Sequence, residues 1–214
     1  MPENVLMLWF IYIIGGYLLG GVMFCRIIPK WLLKKDICEL SPDHNPGAAN
    51  AFMICGIPLG MLCLILDMLK GFLPVYSAAR TLGTDDILFA AVMAAPVLGH
   101  ATAPFDRSHG GKCIATSFGE TLAVLPATNI GLILAGLYIL FSTVLKINPH
   151  RKRSIAAFAV FGILAGIMLF YRRQYSLAAG FVSISCIAIV KHLKRFSHEV
   201  ESVADTADAQ NDER

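Results

Sequence analysis

The sequence predicts an all-α, polytopic membrane protein of about seven transmembrane helices, with its N-terminus outside and its C-terminus in the cytoplasm. Three observations carry that reading. The 214 residues are 56% hydrophobic and only 15% charged, where a soluble domain has about 45–50% apolar and about 25% charged residues. The apolar residues gather into runs over 5–25, 57–79, 87–104, 121–145, 155–171 and 176–190. Each approaches the ~20 residues that carry a helix across ~30 Å of hydrocarbon. The Lys and Arg residues, finally, fall mostly into alternate loops. A soluble enzyme, a secreted disulfide domain and a nucleic-acid binder are excluded.

The first run follows Met1-Pro2-Glu3-Asn4, with no Lys or Arg before Arg26, so it reads as a retained helix and not a cleaved signal. With the N-terminus outside, Arg26, Lys30, Lys34 and Lys35 enter a first cytoplasmic loop, and Arg107 and Lys112 a second. Lys146, Arg151, Lys152 and Arg153 enter a third, and Lys191, Lys194 and Arg195 follow the last run. Arg80, Arg172 and Arg173 fall outside. This is the asymmetry of the positive-inside rule. It demands an odd number of crossings, so the short, weakly apolar segment 113–128 is expected as the seventh. Six crossings would put the basic loop 146–153 on the wrong side.

Small-residue pairs at Gly16 and Gly20, Gly56 and Gly60, and Gly162 and Gly166 predict faces where helix backbones approach closely. From Ser197 the composition changes to Glu199, Glu201, Asp205, Asp208, Asp212 and Glu213 among Ser, Ala and Thr. This predicts a membrane domain over 1–196 and a disordered acidic cytoplasmic tail over 197–214. The six cysteines form no C-x-x-C pair and read as small apolar residues. No Cys/His spacing suits a metal.

Three places break the apolar pattern. The first is Asp43-His44-Asn45-Pro46-Gly47-Ala48-Ala49-Asn50, a polar turn before a helical stretch. The second runs from Gly99-His100 to Gly110-Gly111-Lys112-Cys113-Ile114-Ala115-Thr116. Glycine amides, a helix N-terminus and a Lys ammonium together suit an anion, and Thr116 can add a hydroxyl. The same residues also suit a tight interfacial turn, and the Walker A spacing is absent. The third is Asp67-x-x-Lys70 within an apolar run; the two share a helix face and can neutralise each other, although intramembrane charges are functional candidates. His100, at the end of a run, reads either as an interfacial histidine or as a proton acceptor.

The order Asn45-Pro46-Gly47-Ala48-Ala49-Asn50, Asp67-x-x-Lys70-Gly71-x-x-Pro74-Val75, and Gly99-His100 with Gly110-Gly111-Lys112-x-x-Ala115-Thr116 resembles the bacterial acyl-phosphate-dependent glycerol-3-phosphate acyltransferases. The motifs match over about residues 15–116 and hydropathy over nearly the whole chain. The resemblance implies a seven-span enzyme of the bacterial inner membrane with its active face cytoplasmic. It would move a fatty acyl group from acyl phosphate to glycerol 3-phosphate, or a related acceptor, giving lysophosphatidic acid and phosphate. Its partners would be those substrates and membrane lipid, with no nucleic acid, cofactor or metal; the oligomeric state is left open. Carried onto this chain, Lys112 and the Gly110 and Gly111 amides would hold a phosphate, joined by Gly47 and Thr116. Asn45 and Asn50 would orient the acceptor, and His44 or His100 would take the hydroxyl proton. Asp67, Lys70 and His192 would line a substrate groove or support it.

The chain also departs from that pattern. Asp43-His44 stands where the family has Ser-Gly, Ala49 where it has Thr, and Met53 where it has Arg. Cys113 replaces the last glycine of Gly-Lys-Gly, and the segment 191–195 keeps His192 without the family's Asn. These departures raise two other readings: a non-catalytic or substrate-shifted paralogue that binds a lipid phosphate, and, from Asp67 and Lys70, a small transporter. The sequence shows no internal repeat of the kind transporters carry.

Overall fold

The computed structural model describes residues 2–106 and 110–212. Among them there are ten α-helices and no strand. Four helices are long and apolar enough to cross a membrane: α1 (Glu3–Gly20), α5 (Ile57–Leu82), α9 (His150–Tyr171) and the Tyr175–Leu193 part of α10 (Tyr175–Asp212). Their side chains are inverted relative to a soluble bundle. On α1, Met7, Phe10, Ile11 and Ile14 face outward while Gly16 and Gly20 are buried, as expected where the surrounding medium is itself apolar.

The interior is aromatic and tightly closed. Trp9, Phe89, Phe158, Phe161 and Phe181 are buried, and the rings of Phe161 and Phe181 meet edge to face at 5.2 Å. Helix α6 (Leu88–Thr102) packs against α1 and α10, and α9 against α10. Glycine lets α1 and α6 touch: a Cβ on Gly20 would strike the backbone of Pro96, and one on Gly99 the backbone carbonyl of Tyr17. The expected small-residue face at Gly16 and Gly20 is therefore a real crossing, and Gly162 and Gly166 lie against Ser185 and Val182 of α10. The third pair behaves differently. Gly56, at φ 79°, is the joint between α4 (Ala48–Cys55) and α5, and Gly60 faces Phe52 of that same hairpin. A Cβ on Gly180 would meet the Met93 side chain, nearest at its sulfur, while one on Gly136 would face open space. Gly180→Ala should therefore cost about 1 kcal/mol, since the Met can shift but the packing is disturbed. Gly136→Ala should be neutral or slightly stabilising, read as the difference in thermal midpoint in detergent.

Apolar run 121–145 is not one helix. Residues 114–123 form α7 (Ile114–Ala123), the chain turns through Pro126, and α8 (Leu132–Ile139) continues into a π-helical turn at Leu140–Val144. Proline lacks the N–H needed to carry α7 onward. Helix α7, the core of the expected seventh crossing, has ten residues and so spans ~15 Å, about half the hydrocarbon. It buries Thr116, Ser117, Glu120 and Thr121 and packs on α5, where Gly71 and Gly119 admit close contact. The backbone of α10 runs on through the acidic segment to Asp212, where composition reads disorder.

Between α1 and α5 lie three short helices: α2 (Phe24–Leu33), α3 (Ile37–Leu40) and α4. Helix α2 exposes Ile27, Trp31, Leu32 and Leu33 beside Lys30, the make-up of a helix lying in a membrane interface. Arg26 of α2 grips Asp36 through Nε at 3.0 Å and Nη2 at 2.9 Å, and its other nitrogen contacts Asp106 beyond α6. Lys30 Nζ reaches Asp36 at 2.9 Å. Arg26, helped by Lys30, holds the Asp36 carboxyl well below the usual carboxylate range. This network joins the α2–α3 turn to the loop that follows α6.

Candidate active site

At the end of the bundle where α4, α5, α6 and α7 meet, there is a cavity of about 530 Å³. Its polar wall comes from Asp43, Asn45, Asn50, Asp67, His100, Lys112 and His150, and its apolar wall from Leu64, Met68, Ile114 and Phe118. Residues 64, 67, 68 and 71 fall at i, i+3, i+4 and i+7 on α5. One face of α5 thus supplies the acid, the apolar wall and the glycine against which α7 packs.

The polar turn before α4 is organised around a carboxylate. Asp43 Oδ1 accepts from Asn50 Nδ2 at 2.7 Å and from the Asn45 amide at 3.3 Å, and Asp43 Oδ2 takes Lys112 Nζ at 2.5 Å. Asn50 Nδ2 also donates to the Asn45 carbonyl at 2.8 Å. Helix α4 starts at Gly47 without a side-chain cap, and Gly47, Ala48, Ala49 and Asn50 line the cavity. Its first turn adds partial positive charge to that of Lys112.

Deeper in α5, Asp67 and Lys70 are each 1% exposed. They form an ion contact at 2.8 Å, although Asp67 Oδ1 lacks hydrogen-bond alignment. Cys25 Sγ donates to Asp67 Oδ2 at 3.1 Å, and Lys70 Nζ donates to the Val22 carbonyl at 2.6 Å. The pair therefore ties the α1–α2 corner to α5, while Asp67 also reaches the cavity floor. His100, 3% exposed, lines the cavity from the last turn of α6, and its Nδ1 has no hydrogen-bond partner.

The geometry redistributes several expected roles. His44 does not line the cavity: its Nδ1 donates to the Cys38 carbonyl at 2.7 Å, a contact set by the left-handed backbone at φ 48°. Gly111 does not offer its amide to a ligand, because that N–H bonds the His100 carbonyl at 3.0 Å; a Cβ there would strike the imidazole. Gly110 is needed for close approach to the Ala101 carbonyl and Lys191. Thr116 is fully buried at the α5–α7 crossing, where small size decides, and its hydroxyl lies outside the cavity lining. His192 is buried on α10 and also off the lining. Met53 points outward at 64% exposure. His150 was missed because it sits in the basic cluster 146–153. It follows Pro149 at the first position of α9, and its Nδ1 meets Ser154 Oγ at 3.2 Å. Among the described residues no group of His, Cys, Asp or Glu could hold a metal.

Residues 10–201 match the family model described as Glycerol-3-phosphate acyltransferase. The chain belongs to that family. It is 37% identical to a glycerol-3-phosphate acyltransferase of Thermotoga petrophila over 63% of this chain and 68% of the relative. It is 30% identical to the glycerol-3-phosphate acyltransferase of Staphylococcus aureus strain JH9 over 87% of this chain and 91% of the relative. The fold is similar to crystal structures of PlsY (YgiH), an integral membrane glycerol 3-phosphate acyltransferase. Its glycerol 3-phosphate form matches with TM-score 0.73 at 27% identity, covering 94% of each chain. Its lysophosphatidic acid form matches with TM-score 0.72, covering 94% of this chain and 93% of the other. Like these relatives, this glycerol-3-phosphate acyltransferase family member is an all-helical, multi-pass membrane protein. His44 at φ 48° and Cys113 at φ 67° both adopt the left-handed region that glycine favours.

Proposed function

We propose that the protein transfers a fatty acyl group from acyl phosphate to the 1-hydroxyl of glycerol 3-phosphate, releasing lysophosphatidic acid and phosphate, as a step of phospholipid synthesis. The observation that carries this reading is the composition of one cavity. Lys112, Asn45, Asn50 and the first turn of α4 make an anion-binding end, and Leu64, Met68 and Phe118 make an apolar side. A phosphate-bearing polar acceptor and an amphipathic donor need those two environments within one reach.

In this reading the acceptor hydroxyl oxygen attacks the acyl carbonyl carbon, the carbon–oxygen bond to phosphate breaks, and phosphate leaves. Acyl phosphate is already activated, so placement and charge neutralisation supply much of the rate. His100 takes the hydroxyl proton, supported by its place in the lining and its unpartnered Nδ1. His44, tied to Cys38, is too engaged to serve. The anion-binding end faces the cytoplasm, with the N-terminus outside, in keeping with the basic loops, and the protein sits in the bacterial inner membrane. The membrane domain over 1–196 holds the whole site, and the segment 197–214 is a cytoplasmic appendage.

Purified protein in detergent should form lysophosphatidic acid from palmitoyl phosphate and glycerol 3-phosphate; absence of product, with a working relative alongside, sinks the proposal. His100→Gln should lower kcat by about 10² with little change in KM. A change confined to KM would remove His100 from the proton path.

A further inference from the structure

Asp43 holds the donors that an incoming anion would need. Its two oxygens take the Lys112 ammonium at 2.5 Å, the Asn50 amide at 2.7 Å and the Asn45 backbone N–H at 3.3 Å. All four residues line the cavity, and the Asp43 and Lys112 side chains are 29% and 23% exposed, so the pair sits at the boundary between protein and cavity. A carboxylate and a phosphate monoester make the same demands: two or more oxygens accepting from an ammonium and from amide N–H groups. Lys112 cannot give both its full charge, because two anions drawn to one ammonium repel each other.

We propose that Asp43 is a built-in anion occupying the Lys112 subsite, and that the phosphate of the acceptor binds by displacing it. Asp43 is thereby the residue that sets how strongly this site takes a phosphate. The identity of the acceptor rests on the function proposed above; the competition between carboxylate and phosphate does not. The site as built discriminates by charge. A singly charged or neutral polyol gains too little to dislodge Asp43, whereas a dianionic phosphate can. The turn itself does not require the charge, because an Asn at 43 could still accept from Asn50 through its amide oxygen.

Asp43→Asn therefore separates charge from architecture. Calorimetric titration of the purified full-length protein with glycerol 3-phosphate, and separately with inorganic phosphate, should show Kd falling by about tenfold in Asp43→Asn at low ionic strength. Asp43→Glu, which keeps the charge, should not tighten binding. In turnover, the KM for glycerol 3-phosphate should fall by a similar factor. Unchanged or weaker phosphate binding in Asp43→Asn, in protein whose thermal midpoint matches the parent, overturns the proposal. Tighter binding without product in any variant leaves this inference standing and removes the acyltransferase reading. Product formation with no gain in phosphate affinity does the reverse.

Discussion

Lys112→Ala should lower kcat/KM for glycerol 3-phosphate by about 10²–10³, the loss expected when one preorganised charge is removed from a site that handles anions. Lys112 is the ammonium that the structure places on the cavity wall beside the uncapped start of α4. Its removal acts twice. It withdraws the positive charge that would meet a phosphate, and it leaves the negative charge of Asp43 on the cavity wall without that ammonium. Adding Asp43→Asn to Lys112→Ala should therefore recover part of the loss, by about three- to tenfold. Lys112→Arg should retain more activity than Lys112→Ala, but not all of it, because a planar guanidinium cannot replace a point charge at 2.5 Å without shifting its neighbours. Initial rates in detergent, with the thermal midpoint of each variant measured beside them, check these expectations. A Lys112→Ala enzyme within about threefold of the parent would put the anion site elsewhere.

Lys70→Met should be the most damaging single change to stability among the residues around the cavity, by about 3–5 kcal/mol, the cost of stranding one partner of a buried ion pair. Lys70 and Asp67 are both almost completely enclosed, and Lys70 Nζ also caps the Val22 carbonyl at the α1–α2 corner. The single variant leaves the buried Asp67 carboxylate facing the Cys25 thiol in place of an ammonium, so it should lose thermal midpoint steeply or fail to accumulate. The double change Asp67→Asn with Lys70→Met removes both charges and should be far milder, because a buried pair contributes little net stability relative to neutral side chains. Midpoints of the two singles and the double in one detergent close the cycle. Additive losses would show that the two residues act independently.

Much of the site was legible in the sequence for a simple reason. In an apolar chain polar residues are scarce, so Asn45, Asn50, Asp67, His100 and Lys112 stood out, and all of them line one cavity. The assignments that moved were those of residue types with two uses. Gly111 and Thr116 fit an anion loop and a tight helix crossing equally well by composition, and the fold uses them for contact with His100 and Gly71. The direction of the His44 ring depends on a left-handed φ and a carbonyl six residues away, which no local pattern records. Hydropathy joined 121–145 into one span because it weighs side chains and not the N–H that Pro126 lacks. His150 was hidden by its cationic neighbours, whose numbers suit a topology signal.

The left-handed turns at His44 and Cys113 carry a consequence for how the cavity keeps its outline. Neither side chain prefers that backbone, so each turn is held from outside itself. His44 is anchored by the Cys38 carbonyl of α3, and Cys113 by Val97 of α6 together with Ser117 of its own helix. The stretches of cavity wall beside these turns, at Asp43 and Asn45 and at Lys112 and Cys113, are thus held by Cys38 and Val97, which lie outside the lining. A substitution in α3 or mid-α6 that shifts those carbonyls should alter the shape of the cavity before it alters its chemistry.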